Sequence, residues 1–154
     1  MLVSQLAAVV LTTGLSCPGP MTGTAEDDHL RGTRGDDVIY GYRGDDRLWG
    51  RRGSDVLDGG RGDDVLRTWI GGQGRPVDPG PDVLRGGPGA DRLYVSLGDR
   101  VRAGPGDDHV WAYYLDEETD FIDCGPGEDV LHLHQNLSDL STLGCEEREV
   151  QIAG

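Results

Sequence analysis

A nine-residue phrase repeats along this chain. Residues 32–40 read GTRGDDVIY, 41–49 GYRGDDRLW, 50–58 GRRGSDVLD and 59–67 GGRGDDVLR. Each row has Gly first and fourth, Asp sixth and a large apolar residue eighth. The phrase runs from about Gly23 to His132, with sixth-position acids at Asp28, Asp37, Asp46, Asp55, Asp64, Asp82 and Asp91. A fixed short period of this kind predicts a stacked solenoid, because one row cannot bury its own apolar side.

Glycine permits positive φ and close backbone approach, so each row predicts a tight turn followed by a short strand. Two rows make one coil, which places residues eighteen apart above one another. Side chains alternate across a strand, so the eighth positions should point inward in two ladders. One is expected to run Leu30, Leu48, Leu66, Leu84, and the other Ile39, Leu57, Leu93 with an interruption at Arg75. Seventh and ninth positions face outward. That suits Arg47, Arg67, Arg85 and Arg92, and leaves Val38, Val56, Tyr40 and Trp49 exposed. The expected fold is all-β, a parallel β-roll.

Two stretches break the pattern. Residues 68–76 are degenerate, with Gln73 in the acid's place, and after Val95 the phase slips, leaving Gly98-Asp99 as a truncated remnant within 95–102. Residues 77–85 have lost their first glycines but keep Gly80, Asp82 and Leu84. Clean rows return at 86–94 (GGPGADRLY), 103–111 (AGPGDDHVW) and 124–132 (CGPGEDVLH), with an irregular segment at 112–123.

The chain has 154 residues, which suggests one domain. Its 28 acids outnumber 14 basic residues, all Arg, for a formal charge of -14. Nucleic acid and anionic membrane are poor partners for such a surface. Twenty-six glycines and one Phe argue against a large conventional core. Scattered acids and glycines would mean disorder. Here they recur in register, so a ligand can stand in for the missing core.

That ligand is expected to be calcium, a hard cation that takes six to eight oxygens from carboxylates and backbone carbonyls. The sixth-position aspartates supply charge. Asp28, Asp46, Asp64 and Asp82 are expected along one edge, and Asp37, Asp55 and Asp91 along the other, with a weak or missing site beside Gln73. Asp108 and Asp129 continue the series in the later rows. Turn carbonyls complete the candidate ligand set. In successive rows these are Gly32, Arg34 and Gly35; Gly41, Arg43 and Gly44; Gly50, Arg52 and Gly53; Gly59, Arg61 and Gly62; and Gly86, Pro88 and Gly89, with Gly106 further on. The fifth-position acids Asp36, Asp45, Asp63 and Asp107 either ligate through their carbonyls or tune the field. Magnesium prefers a tighter shell with several waters. Six calcium ions would add about +12 and nearly cancel the formal charge.

Rows 32–67, 86–94 and the later ones resemble the RTX, or haemolysin-type, calcium-binding repeat. The resemblance implies a right-handed parallel β-roll, extracellular placement and folding driven by calcium after export. The terminal DFIDCGPGEDVLHLHQNLSDLSTLGCEE is similar to the cap of actinobacterial members. Many such repeats are appendages of secreted enzymes or toxins.

The two ends fit export. Residues 1–16 are apolar and uncharged, and residues 1–25 resemble a signal peptide without its usual positive start. Around Cys17 there is a loose lipobox, so attachment of a lipid is the alternative. The roll is expected over 26–132 and a capping segment over 133–154. In an exported protein Cys124 and Cys145 are expected to pair, closing a loop worth about 3 kcal/mol and tying the terminal segment over the open end. A zinc site of Cys124, His132, His134 and Cys145 is the competing arrangement.

No nucleophile with a base is evident, so no enzymatic activity is expected. His29 and His109 occupy outward seventh positions and are expected to be solvated. Tyr40, Trp49, Tyr94 and Trp111 share the ninth position. They either pack along the strand stack or form a strip for an extracellular polysaccharide or protein.

Overall fold

A computed structural model describes residues 19–68, 80–96, 98–112, 121–133, 141–145 and 147–150. The segments carrying Cys17, Gln73, Arg75 and His134 lie outside the described residues. Each row folds as a turn and a strand, and successive strands go alternately to two parallel sheets. One holds β1 (Met21–Thr22), β3 (Val38–Arg43), β5 (Val56–Arg61), β7 (Val83–Arg85), β9 (Arg100–Arg102), β11 (Phe121–Asp123) and β13 (Ser141–Leu143). Its counterpart holds β2 (His29–Arg31), β4 (Arg47–Trp49), β6 (Val65–Arg67), β8 (Arg92–Val95), β10 (His109–Ala112), β12 (Val130–Leu133) and β14 (Glu147–Val150). Every pairing is between strands two apart in sequence, as expected of a β-solenoid with two strands per coil.

The eighth positions do form two interior ladders, but their membership differs from expectation beyond Leu66. Leu57 pairs directly with Leu84, and Leu66 directly with Leu93. Leu84 therefore belongs to the Ile39 ladder and Leu93 to the Leu48 ladder. No described strand lies between them. The sequence supplies a physical reason for the exchange: the eighth position of the degenerate row is Arg75, and an unpaired guanidinium in a column of leucines would cost several kcal/mol. Leu48, Leu66 and Leu93 in one ladder, and Leu57 and Leu84 in the other, stack without a gap, all fully buried.

The slip after Val95 is likewise absorbed. Row 95–102 lacks one turn residue, yet Val101 stacks on Leu84 and Asp99 is buried beside it. Inside, the eighth positions are joined by the first positions of the later rows. Val95, Ala103, Ala112, Cys124 and Leu133 are all buried, a second interior line that the eighth-position reading omitted.

At the far end β13 and β14 add a seventh strand to each sheet. Cys145, between them, is disulfide-bonded to Cys124 with Cα atoms 5.2 Å apart. That pairing rules out the zinc arrangement, which needed both thiolates.

Second-position residues adopt a left-handed backbone in most rows. Gly60, Gly87, Gly104 and Gly125 fill this place at φ 107°, 111°, 125° and 90°, but Tyr42 and Arg51 fill it at 80° and 93°. A Cβ in this region costs about 1–2 kcal/mol. Tyr42 is mostly exposed and its ring lies at a loose 6.1 Å from that of Tyr40, so little packing offsets the strain. Tyr42→Gly is expected to stabilise the calcium-bound chain by about 1 kcal/mol, read as a higher urea midpoint at unchanged slope; a lower midpoint contradicts the strain.

Candidate metal centre

The sixth-position aspartates form two buried columns, one at each edge of the roll. The swap of ladders carries the acids with it. Asp91, not Asp82, follows Asp64, and Asp82 follows Asp55 without a gap. The column leading into β2 and its partners therefore contains Asp28, Asp46, Asp64, Asp91, Asp108 and Asp129. Its counterpart contains Asp37, Asp55, Asp82 and Asp99. Asp99 lay in a stretch set aside as degenerate. The Gly-Asp-x-Val core of residues 98–101 was the signal for it, hidden by a single missing residue.

Within each column one carboxylate oxygen ties coil to coil. The Asp46 N–H donates to Asp64 Oδ1 at 2.8 Å, Asp64 N–H to Asp91 Oδ1 at 2.8 Å, and Asp91 N–H to Asp108 Oδ1 at 2.8 Å. Asp28 and Asp108 donate in the same way to Asp46 and Asp129, at 2.7 and 2.9 Å. The second column repeats the pattern from Asp37 through Asp55 and Asp82 to Asp99.

In the run Asp46, Asp64, Asp91 and Asp108 the other oxygen has no such partner. Oδ2 of Asp46, Asp64, Asp91 and Asp108 is buried and accepts no hydrogen bond. An orphaned buried acceptor costs roughly 1–3 kcal/mol, more when charged. Burial accordingly pushes these carboxyls up, Asp46 and Asp108 to about 6, Asp64 to about 7 and Asp91 to about 8. The backbone N–H on Oδ1 opposes the shift, and neighbouring aspartates add to it.

First-position glycine shapes the space around that oxygen. A methyl group on Gly41, Gly59 or Gly86 would strike Oδ2 of its own row's Asp46, Asp64 or Asp91. It would also strike the first-position carbonyl of the next coil, that of Gly59, Gly86 or Ala103. Carboxylate and carbonyl oxygens of two coils thus converge on a spot that these three glycines leave open. This oxygen-only donor set suits a hard divalent cation. Among the described residues no three His, Cys, Asp or Glu side chains converge on one point, so backbone carbonyls must fill most of a cation's shell.

Third-position carbonyls are already used between coils: Arg61 accepts the Gly44 N–H, and Pro88 the Gly62 N–H, at 3.0 and 3.1 Å. Each still has a second lone pair. Fourth-position Gly44, Gly53, Gly62, Gly89 and Gly106 adopt positive φ, and Gly32, Gly50 and Gly35 sit in the same turns, with Arg34, Arg43 and Arg52 beside them. The fifth-position acids bond between coils. Asp45 accepts the Asp63 N–H at 2.9 Å, Asp36 the Ser54 N–H at 2.8 Å, Asp63 the Ala90 N–H at 2.9 Å and Asp107 the Glu128 N–H at 3.0 Å. They stand exposed outside the buried columns.

The outer face of the β2-to-β14 sheet carries a stack of rings. Arg67 lies 4.3 Å over Tyr94, Tyr94 stacks on Trp111 at 4.7 Å, and Trp111 on His132 at 4.7 Å. His109 is not simply solvated: it stacks on Trp111, and its Nδ1 lies 3.1 Å from His132 Nε2. Tyr40 stands on the opposite sheet, away from this strip. The near-parallel rings spend their faces on one another, which is packing along the strand stack.

Residues 22–57, 44–72 and 78–101 match the family model described as RTX calcium-binding nonapeptide repeat (4 copies). No curated protein matches the chain.

Proposed function

This chain is an RTX calcium-binding nonapeptide-repeat protein, and we propose that calcium holds its turns together and drives its folding. The observation that carries this reading is the row of buried, unpartnered Oδ2 atoms on Asp46, Asp64, Asp91 and Asp108. Bound calcium supplies the positive charge that these carboxylates lack. The chain's own part is to desolvate the oxygens, fix them through Oδ1, and bring the carbonyls of the next coil beside them. Arg34, Arg43, Arg52, Arg61 and Pro88 contribute backbone carbonyls to the same turns.

We assign the protein to the extracellular space as a non-catalytic module. Its uncharged apolar start, its disulfide and its family support that placement. Millimolar external calcium would keep even weak sites of this class filled. A role as a binding module for a polysaccharide or protein has less support, since the ring stack has no open aromatic face among Tyr94 and Trp111. Among the described residues no helix is long and apolar enough to cross a membrane.

Isothermal titration of the chelated full chain tests the reading. Several calcium ions should bind per chain, with magnesium unable to displace them at equal concentration. Absence of calcium binding, or equal competition by magnesium, contradicts it.

A further inference from the structure

The rows differ at their second position. In rows 59–67, 86–94 and 103–111 that residue is Gly60, Gly87 or Gly104. Its N–H donates outward, to the first-position carbonyl of the next coil (Gly86, Ala103 or Cys124) at 2.9, 2.8 and 3.2 Å. The row's own aspartate is left with an open Oδ2. In rows 23–31 and 32–40 the second residue is threonine and its backbone is not left-handed. The Thr24 N–H turns inward to Asp28 Oδ2 at 2.6 Å, and its hydroxyl bonds the same oxygen at 2.9 Å. Thr33 does the same to Asp37 Oδ2, at 2.6 and 3.0 Å. In the shortened row the second residue is Ser96. Its N–H reaches Asp99 Oδ2 at 2.8 Å, and the Thr68 hydroxyl adds a bond of 3.2 Å from the coil before.

We propose that the second residue of each row decides whether that row's aspartate can take calcium, and that Thr24, Thr33 and Ser96 close theirs. This rests on the calcium reading and narrows it. A carboxylate oxygen holding two donors at hydrogen-bond distance is already stabilised, and a cation approaching it would meet an N–H and a hydroxyl. Asp28 and Asp37 then serve as hydrogen-bonded ends of the two columns, where the next carboxylate beyond has no counterpart in the described stack. The open run Asp46, Asp64, Asp91 and Asp108 is contiguous along one edge. Thr24 and Thr33 are thus specificity-determining residues for where along the roll metal is held.

The test counts calcium ions per chain by native mass spectrometry of the full-length protein. Thr33→Gly frees Asp37 Oδ2 and lets the backbone take the open form, so one more calcium is expected than in the wild type. Tyr42→Thr puts the closing residue into the Asp46 row at an exposed site, so one fewer is expected. Unchanged stoichiometry in the Thr33→Gly chain, with wild type binding calcium, overturns the proposal and leaves the calcium reading intact. A wild-type chain that binds none overturns both.

Discussion

Acidifying the calcium-free chain from about pH 8 to about pH 5 is expected to raise its stability, while the same change weakens the calcium-bound chain. Burial raises the folded pKa of Asp46, Asp64, Asp91 and Asp108 to between about 6 and about 8. The unfolded chain releases these protons near pH 3.9. The folded metal-free state therefore binds more protons across that window. Its stabilisation is fully present below the unfolded value and is lost as pH rises through the folded ones. At the upper end, stacked carboxylates carry full charge with nothing to offset it. Calcium reverses the sign, because it needs the carboxylates ionised and protons compete for them. Plotted against pH, the residual β signal of the chelated chain and the melting temperature of the calcium-saturated chain should slope in opposite directions. Parallel slopes would mean that these oxygens do not hold the metal.

Asp64→Asn is expected to separate the two roles of a column aspartate. The amide oxygen still accepts the Asp46 N–H, which Asp64 Oδ1 holds at 2.8 Å. The buried charge is gone. Without calcium the variant should be more stable than wild type, since a desolvated carboxylate and its repulsion from Asp46 and Asp91 have been removed. With calcium at a hundredfold excess over its dissociation constant, it should lose about 2.7 kcal/mol of the added stability, the contribution of one site. Asp63→Asn is the matched control, because Asp63 lies outside the buried column and bonds only between turns. Residual β signal of the chelated variants, and chemical denaturation of the calcium-bound ones, read the difference. Equal loss in Asp64→Asn and Asp63→Asn would contradict a special place for the buried column.

Much of this roll can be read from the repeat alone. Turn, strand and inward ladder follow directly from glycine, aspartate and leucine at fixed offsets. The period cannot say whether a degenerate row keeps its rung. Gln73 and Arg75 read as a gap inside a ladder, yet Leu57 pairs directly with Leu84 and Leu66 with Leu93, so the two ladders exchange partners. Asp99 was obscured for the opposite reason. Its row is one residue short, but the turn absorbs the deletion while strand pairing holds the register. The buried first positions from Val95 to Leu133 escaped notice because the early rows all carry glycine there. Thr24 and Thr33 look like ordinary variation in a tolerant turn position. Their part emerges only from the direction of an N–H, a backbone property that composition does not encode. Cys124 and Cys145 were legible as a pair, but what they brace was not: the terminal strands continue both sheets.

The measurement that tests the central claim most directly is far-ultraviolet circular dichroism of the chelated full chain titrated with calcium, with magnesium in parallel. Folding by calcium predicts a weak, disordered spectrum after chelation and a cooperative gain of β signal with calcium alone. A chelated chain already showing the full β signal, unmoved by calcium, would mean that hydrogen bonds and the leucine ladders suffice to hold the roll, and that its orphaned carboxylate oxygens have some other use.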